Sequence, residues 1–304
     1  HGGVRTLLDT LTLTSTYAQL NLSYGTLDTN NQTLNCDFYS GSTSARTLIL
    51  GASIWNCIRW EITYVTGHTI DAGTSSIRMT GLGRFQGGEA TFNELQLNGT
   101  SCTIKNVNTF ATLTRIGTAT RTDSVIFYDD QIIIGTLTLA GNSAINRLRV
   151  ETYPRGTAVT LTAAVVNVSN ADFQDITGAG AGDWDLSAIA GLSGDCGGNT
   201  DITFTDPAAQ YWHVDTGSWS DPTKWFLATD GGGGAGRVPL PQDDVYIDAN
   251  SIDSGGKTIT VDMPRIGKSI DFTGVLNSPT VSLSNHIYIY GSLTLVNGLT
   301  YNHN

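Results

Sequence analysis

Apolar side chains recur at every second residue of this chain, in stretches only long enough for a strand, and Gly, Asn, Ser, Thr or Asp interrupts each stretch. Leu34/Cys36/Phe38, Leu48/Leu50, Ile58/Trp60/Ile62/Tyr64, Leu95/Leu97, Ile132/Ile134, Leu137/Leu139, Val159/Leu161, Ile270/Phe272 and Val281/Leu283 are examples. A period of two places such residues on one face of an extended strand. Short runs roughly 8 to 12 residues apart, with no helical pattern between them, leave two architectures, a sandwich or a solenoid of flattened coils.

Two observations favour the solenoid. Thr136-Leu137-Thr138-Leu139 and the run from Leu161 to Asn170 alternate aliphatics with Thr, Ser or Asn. In a stack of coils the aliphatics form inward ladders, and the hydroxyls and amides stack outward. Hairpin turns of the Asn-Gly or Asp-Gly type are also missing from the first two hundred residues apart from Asn98-Gly99. The expected fold is therefore all-β, a right-handed parallel β-helix (β-solenoid). A β-sandwich is the alternative, kept open by a hairpin at Asn98-Gly99-Thr100.

Charged residues make up 14% of the 304, against about 25% in an ordinary soluble domain. The net charge of −11 supplies no basic stripe for phosphates, which argues against nucleic acid and anionic membranes as partners. No apolar run approaches the ~20 residues of a membrane-spanning helix. The opening residues His1-Gly2-Gly3-Val4 carry no initiator Met and no signal-like segment, so a piece of a longer polypeptide is expected.

Composition changes after Phe204. Gly-rich segments flank this point, and Trp212, Trp219 and Trp225 place three of the six tryptophans within 14 residues. The Gly231–Gly236 loop and Val238-Pro239-Leu240-Pro241-Gln242-Asp243-Asp244 follow. This order, Trp-x6-Trp-x5-Trp, a glycine loop, then Pro-x-Pro-x-Asp-Asp leading into strands, resembles the start of a β-solenoid module in large phage and bacterial surface proteins. More loosely it is similar to the virion fibre and tail proteins of tailed phages and to bacterial adhesins. The resemblance implies two tandem modules, residues 1–205 and 206–304. A Trp-rich segment, about 206–242, would seal the open end of the second stack.

For chemistry, Asp129-Asp130, Asp172/Asp175, Asp183/Asp185 and Asp243-Asp244/Asp248 are acidic clusters, several of them near Gly, Asn or Pro, and Asp at such places ordinarily shapes a turn. Asp243, Asp244 and Asp248 could hold calcium through oxygen ligands, although no calcium-loop repeat accompanies them. His1, His68, His213, His286 and His303 are scattered and suggest no triad. Trp212, Trp219 and Trp225 could stack a sugar if exposed, the competing reading being burial at the stack end. Cys36 and Cys57 lie one coil apart and could pair as a disulfide, the other reading being buried thiols.

The expected function is a non-catalytic structural or adhesive protein of a virion or extracellular surface, such as a tail-fibre component attaching to a host or glycan. Homotrimeric or filamentous assembly, or assembly with other virion proteins, goes with it. The alternatives are a polysaccharide-degrading β-helix enzyme, which needs carboxylates of successive coils converging about 5 to 10 Å apart, and a bacterial adhesin.

Overall fold

Backbone pairing decides between the two architectures. The computed structural model describes residues 3–15, 18–213, 215–264, 266–284 and 286–303. It is all-β with 2% helix, a parallel β-solenoid of about 13 turns. Among the described residues every strand ladder is parallel except one, where Tyr211 and Trp212 oppose Phe226 and Trp225. Sandwiches are antiparallel, so that alternative falls. The expected hairpin at Asn98-Gly99 is instead a corner of a coil. The strands Thr91–Leu97 and Ser101–Lys105 both pair with Ser76–Gln86 of the preceding coil, not with each other. The corner passes so close that a Cβ on Gly99 would lie 1.8 Å from the Gly81 carbonyl oxygen.

Stacking turns the alternation into ladders. One inward ladder climbs through Leu34, Trp55, Ile77, Leu95, Leu113, Leu137 and Val166. Another climbs through Phe38, Trp60, Phe85, Ile104 and Phe127. All but the half-buried Val166 are at most 1% exposed, and burial contributes about 1.5 to 3 kcal/mol for each such side chain. Outward positions form polar ladders, with Asn56 donating to Asn35 at 2.8 Å and Ser124 to Ser101 at 2.9 Å. Coil length is not constant. In the first stack it runs from 17 residues (Leu161↔Gly178) to 30 (Gln131↔Leu161), and in the second it reaches 42 (Gly217↔Ile259).

Two cores result. The first spans Leu22 to Leu186, with Ile202 and Phe204 packed against it, and the second begins at Trp212. The second stack continues through Val245↔Ile270↔Leu293 and Ile259↔Val281↔Tyr301. It does not extend the first along one axis but rests on its flank. The Tyr288 ring covers the Arg149 guanidinium at 4.1 Å, while Tyr290 reaches Cys196. Arg149 and Cys196 belong to different coils, with the coil of Asp172 between them. The Tyr288–Tyr290 segment therefore runs across the coils of the first stack. Gln242 adds a clasp, accepting from the Asp195 amide at 3.0 Å and donating to the Thr205 carbonyl at 3.1 Å.

Candidate functional site

The alternation that builds the ladders also decides which aromatic groups face outward. Trp212, Trp219 and Trp225 point inward and are 1%, 1% and 0% exposed. They form a knot, with Trp225 edge-on to Trp212 at 5.2 Å and to Trp219 at 4.8 Å. The Trp225 indole donates to the Trp219 carbonyl at 2.8 Å and the Trp212 indole to the Asp215 carbonyl at 3.3 Å. Their faces are spent on each other, so the sugar-stacking expectation for these three residues is corrected: they are core.

Their neighbours in sequence are the surface residues. Tyr211 and Phe226, one position from Trp212 and Trp225, lie on the outer side of the same strands, and Tyr246 continues the column on the next coil. Tyr211 and Tyr246 stack at 4.9 Å with an 18° interplanar angle. Asp271 is the next residue of that column. Burial, with the Asp244 and Asp271 carboxylates beside it, pushes the Tyr246 phenol above its ordinary range. Sequence reasoning missed this strip by one residue. The strand period held the signal, because whichever parity carries the buried tryptophans leaves the other parity outside.

A second outward strip lies on the first stack. Lys105, Tyr128 and Tyr153 occupy equivalent places on three successive coils, next to Ile104, Phe127 and Thr152. The Lys105 ammonium sits 4.2 Å from the Tyr128 ring centre, and Tyr128 packs on Tyr153 at 4.9 Å. Tyr153 is 58% exposed. Such rings offer apolar faces with polar edges, the chemistry that receives sugar rings and other amphipathic groups.

The acidic clusters are committed to the framework. Asp243 is fully buried and accepts two hydrogen bonds from Arg237 at 2.6 and 3.0 Å, one from the Ala208 amide and one from the Leu240 amide. With both oxygens occupied it is not free to ligate calcium, which corrects the expectation for this residue. Asp248 closes a turn by accepting from the Asn250 amide, and Asp244 lies on the outer side of its strand beside Tyr246. Among the described residues, no group of three or more His, Cys, Asp or Glu side chains is placed to hold a metal ion. Asp129 and Asp130 accept from the Asn106 and Thr160 amides, Asp175 from the Gly156 amide, and Asp183 from the Asp185 amide. Asp172 forms a buried two-pronged pair with Arg147 at 2.6 to 3.0 Å.

Cys36 and Cys57 do fall on adjacent coils, since Asn35 pairs with Asn56, but both are free thiols. The disulfide expectation is therefore corrected. Burial is the main reason that the Cys36 thiol is pushed up to about 11, and Cys57 donates to the Met79 thioether at 3.5 Å. Both remain protonated and behave as small apolar core groups.

A cleft of about 520 Å³ lies where the two stacks meet, lined in part by Ile145, Leu192, Val238 and Leu240. Arg147 and Arg237 stand in its walls, each already paired with a buried aspartate. In comparisons with known proteins, the chain matches no family model, no curated protein and no solved structure.

Proposed function

We propose that this chain is a structural and adhesive surface protein, a rigid spacer of the kind built into virion fibres or cell-surface adhesins, which attaches through its outward faces and carries out no chemistry. The observation that supports this reading is how the ionic groups are used. Asp37–Arg59, Glu61–Arg84 and Arg147–Asp172 tie one coil to another, Arg237–Asp243 closes a turn, and Arg149–Glu151 pairs two residues of one strand. A carboxylate whose oxygens are already engaged by a guanidinium is poorly placed to reach a substrate. The outward ladders include rings, amides and hydroxyls, which suit contact. The strips Lys105–Tyr128–Tyr153 and Tyr211–Tyr246 are the attachment surfaces, with a glycan as ligand class.

The test is to label the native source with an antibody against the chain, image virions, filaments and cell walls, and incubate the purified protein with a panel of polysaccharides. Labelling of one of these assemblies, and polysaccharide retention without depolymerisation, are expected. Release of oligosaccharides by the purified chain would overturn the reading in favour of a degrading enzyme.

A further inference from the structure

Three consecutive strands of the first stack, Asn108–Ile116, Gln131–Ala140 and Val159–Ser169, form one sheet through the ladders joining 108–116 to 131–140 and 131–140 to 159–169. They contain one charged residue, Arg115, which points inward and is fully buried. The outer face of this sheet therefore carries no charge, in a chain with 16 cationic and 27 anionic residues. Exposed aliphatics take the place of charge. Ile116 is 57% exposed, Ile132 40%, Ile134 62% and Val165 48%, among Thr112, Thr114, Thr136 and Thr138.

A bulge produces the most exposed of them. Ile133 pairs with Phe110 and Ala163, and Thr136 pairs with Thr112 and Val165, so Gln131–Ala140 has one residue more than either neighbour between these points. The extra residue falls at Ile134-Gly135 and turns Ile134 out beside Ala111 and Ala164. Charge returns at the borders of the patch, with Glu94 on the preceding coil and Asp183 and Asp185 on the following one. An apolar centre inside a polar rim is the layout of a protein interface.

We infer that this face binds the same face of a second copy of the chain. Charge selects that occupant. An uncharged sheet face can meet itself about a two-fold axis without apposing like charges, while the −11 of each copy stays outside the contact. Area fixes the strength. Strands of this length and spacing cover about 33 Å by 14 Å, on the order of 500 Å² per copy. About 1,000 Å² in total lies at the lower limit for a specific interface, so the dimer is weak and concentration-dependent. Salt strengthens it, because screening reduces the repulsion between two acidic copies while leaving the apolar contact intact.

The experiment is sedimentation velocity on the full chain from about 1 to about 200 µM at low and moderate salt. Wild type is expected to shift from monomer to dimer across this range, at lower concentration when salt is raised. Ile134→Glu and, as a second variant at an outward position, Val165→Glu are each expected to weaken dimerisation at least about tenfold. Leu82→Glu, at a residue 71% exposed outside this face, leaves it unchanged. Circular dichroism checks that each variant folds. A wild type that stays monomeric throughout, or a dimer that either folded variant leaves intact, overturns the inference.

Discussion

The two stacks share a fold but distribute their aromatic side chains in opposite ways. In the first, rings are spread along the axis. Phe38, then Trp55 and Trp60 of one strand, then Phe85, Phe92 and Phe110 climb through several coils and touch at 4.4 to 6.2 Å from one to the next. In the second, Trp212, Trp219 and Trp225 gather at the base, and the coils above are filled by Val, Ile and Met with Phe272. Each coil of a solenoid is stabilised by its neighbours. A distributed set of rings therefore shares its contribution over many interfaces, whereas a knot makes one end responsible for the rest.

Trp225→Ala breaks that contrast most directly. It empties the centre of the knot and is expected to cost about 3 to 5 kcal/mol. The loss should appear in urea as an early transition of the second stack, with the signal of the first retained. A single transition shifted as a whole would mean that the two stacks unfold as one. Next in size is Asp243→Asn, which leaves Arg237 facing an uncharged group at the start of the second stack. A loss of about 2 to 4 kcal/mol is expected in the same early transition. Asp244→Asn, at a half-buried outward residue, should change stability by less than about 0.5 kcal/mol, and added calcium should not move either melting curve.

A sharper comparison uses Trp→Phe in both stacks. The Trp225 indole donates to Trp219, whereas the buried Trp60 indole has no acceptor among the described residues. Trp225→Phe should therefore cost about 1 kcal/mol more than Trp60→Phe, because a carbonyl loses its donor only in the former. Tyr288→Ala removes the ring over Arg149 and should cost about 1 kcal/mol, read as an earlier second transition without change in the first.

The smallest effect is a pH dependence confined to the first stack. Burial, and then Arg46 beside it, lowers the His68 pKa against weaker opposing influences from the Tyr64 and Gly88 backbone and from Glu89. The folded state then binds its proton less readily than the unfolded chain. Stability is full above the unfolded value near 6.5 and declines as pH falls from there toward the lower folded value. Melting temperatures between pH 7.5 and pH 5 should show this slope, roughly that of a single group, and His68→Gln should flatten it.

The class of fold could be read from the sequence because parity and turn residues are local properties. Trp60, Leu95, Leu137 and Ile270 all lie inward, as the alternation implies. Ile132 and Ile134 do not. The alternation suggested that they face the core, yet Ile133 is the buried residue, at 1% exposure. An uninterrupted Ile-Ile-Ile run contains no parity of its own, and the neighbouring coils set it through Phe110 and Ala163. The site suffered from the same ambiguity in reverse, since tryptophans were considered for the surface where Tyr211 and Phe226 occupy it. Coil boundaries were hidden by the variation in coil length. The docking of Tyr288 on Arg149 joins residues with no patterned relation in sequence, so no local signal could announce it.

The parallel ladder has a mechanical consequence. Its interstrand hydrogen bonds run along the stack axis, so a load along that axis opens the ladders one coil at a time, as in unzipping. A load along the strands must instead shear a whole ladder at once. With its second stack resting on the flank, the molecule also places the Arg149–Tyr288 contact and the Gln242 clasp as a lateral joint between two beams. Under tension this joint is expected to slip before either core opens, allowing the chain to lengthen by a step while both of its tryptophan-bearing cores remain closed.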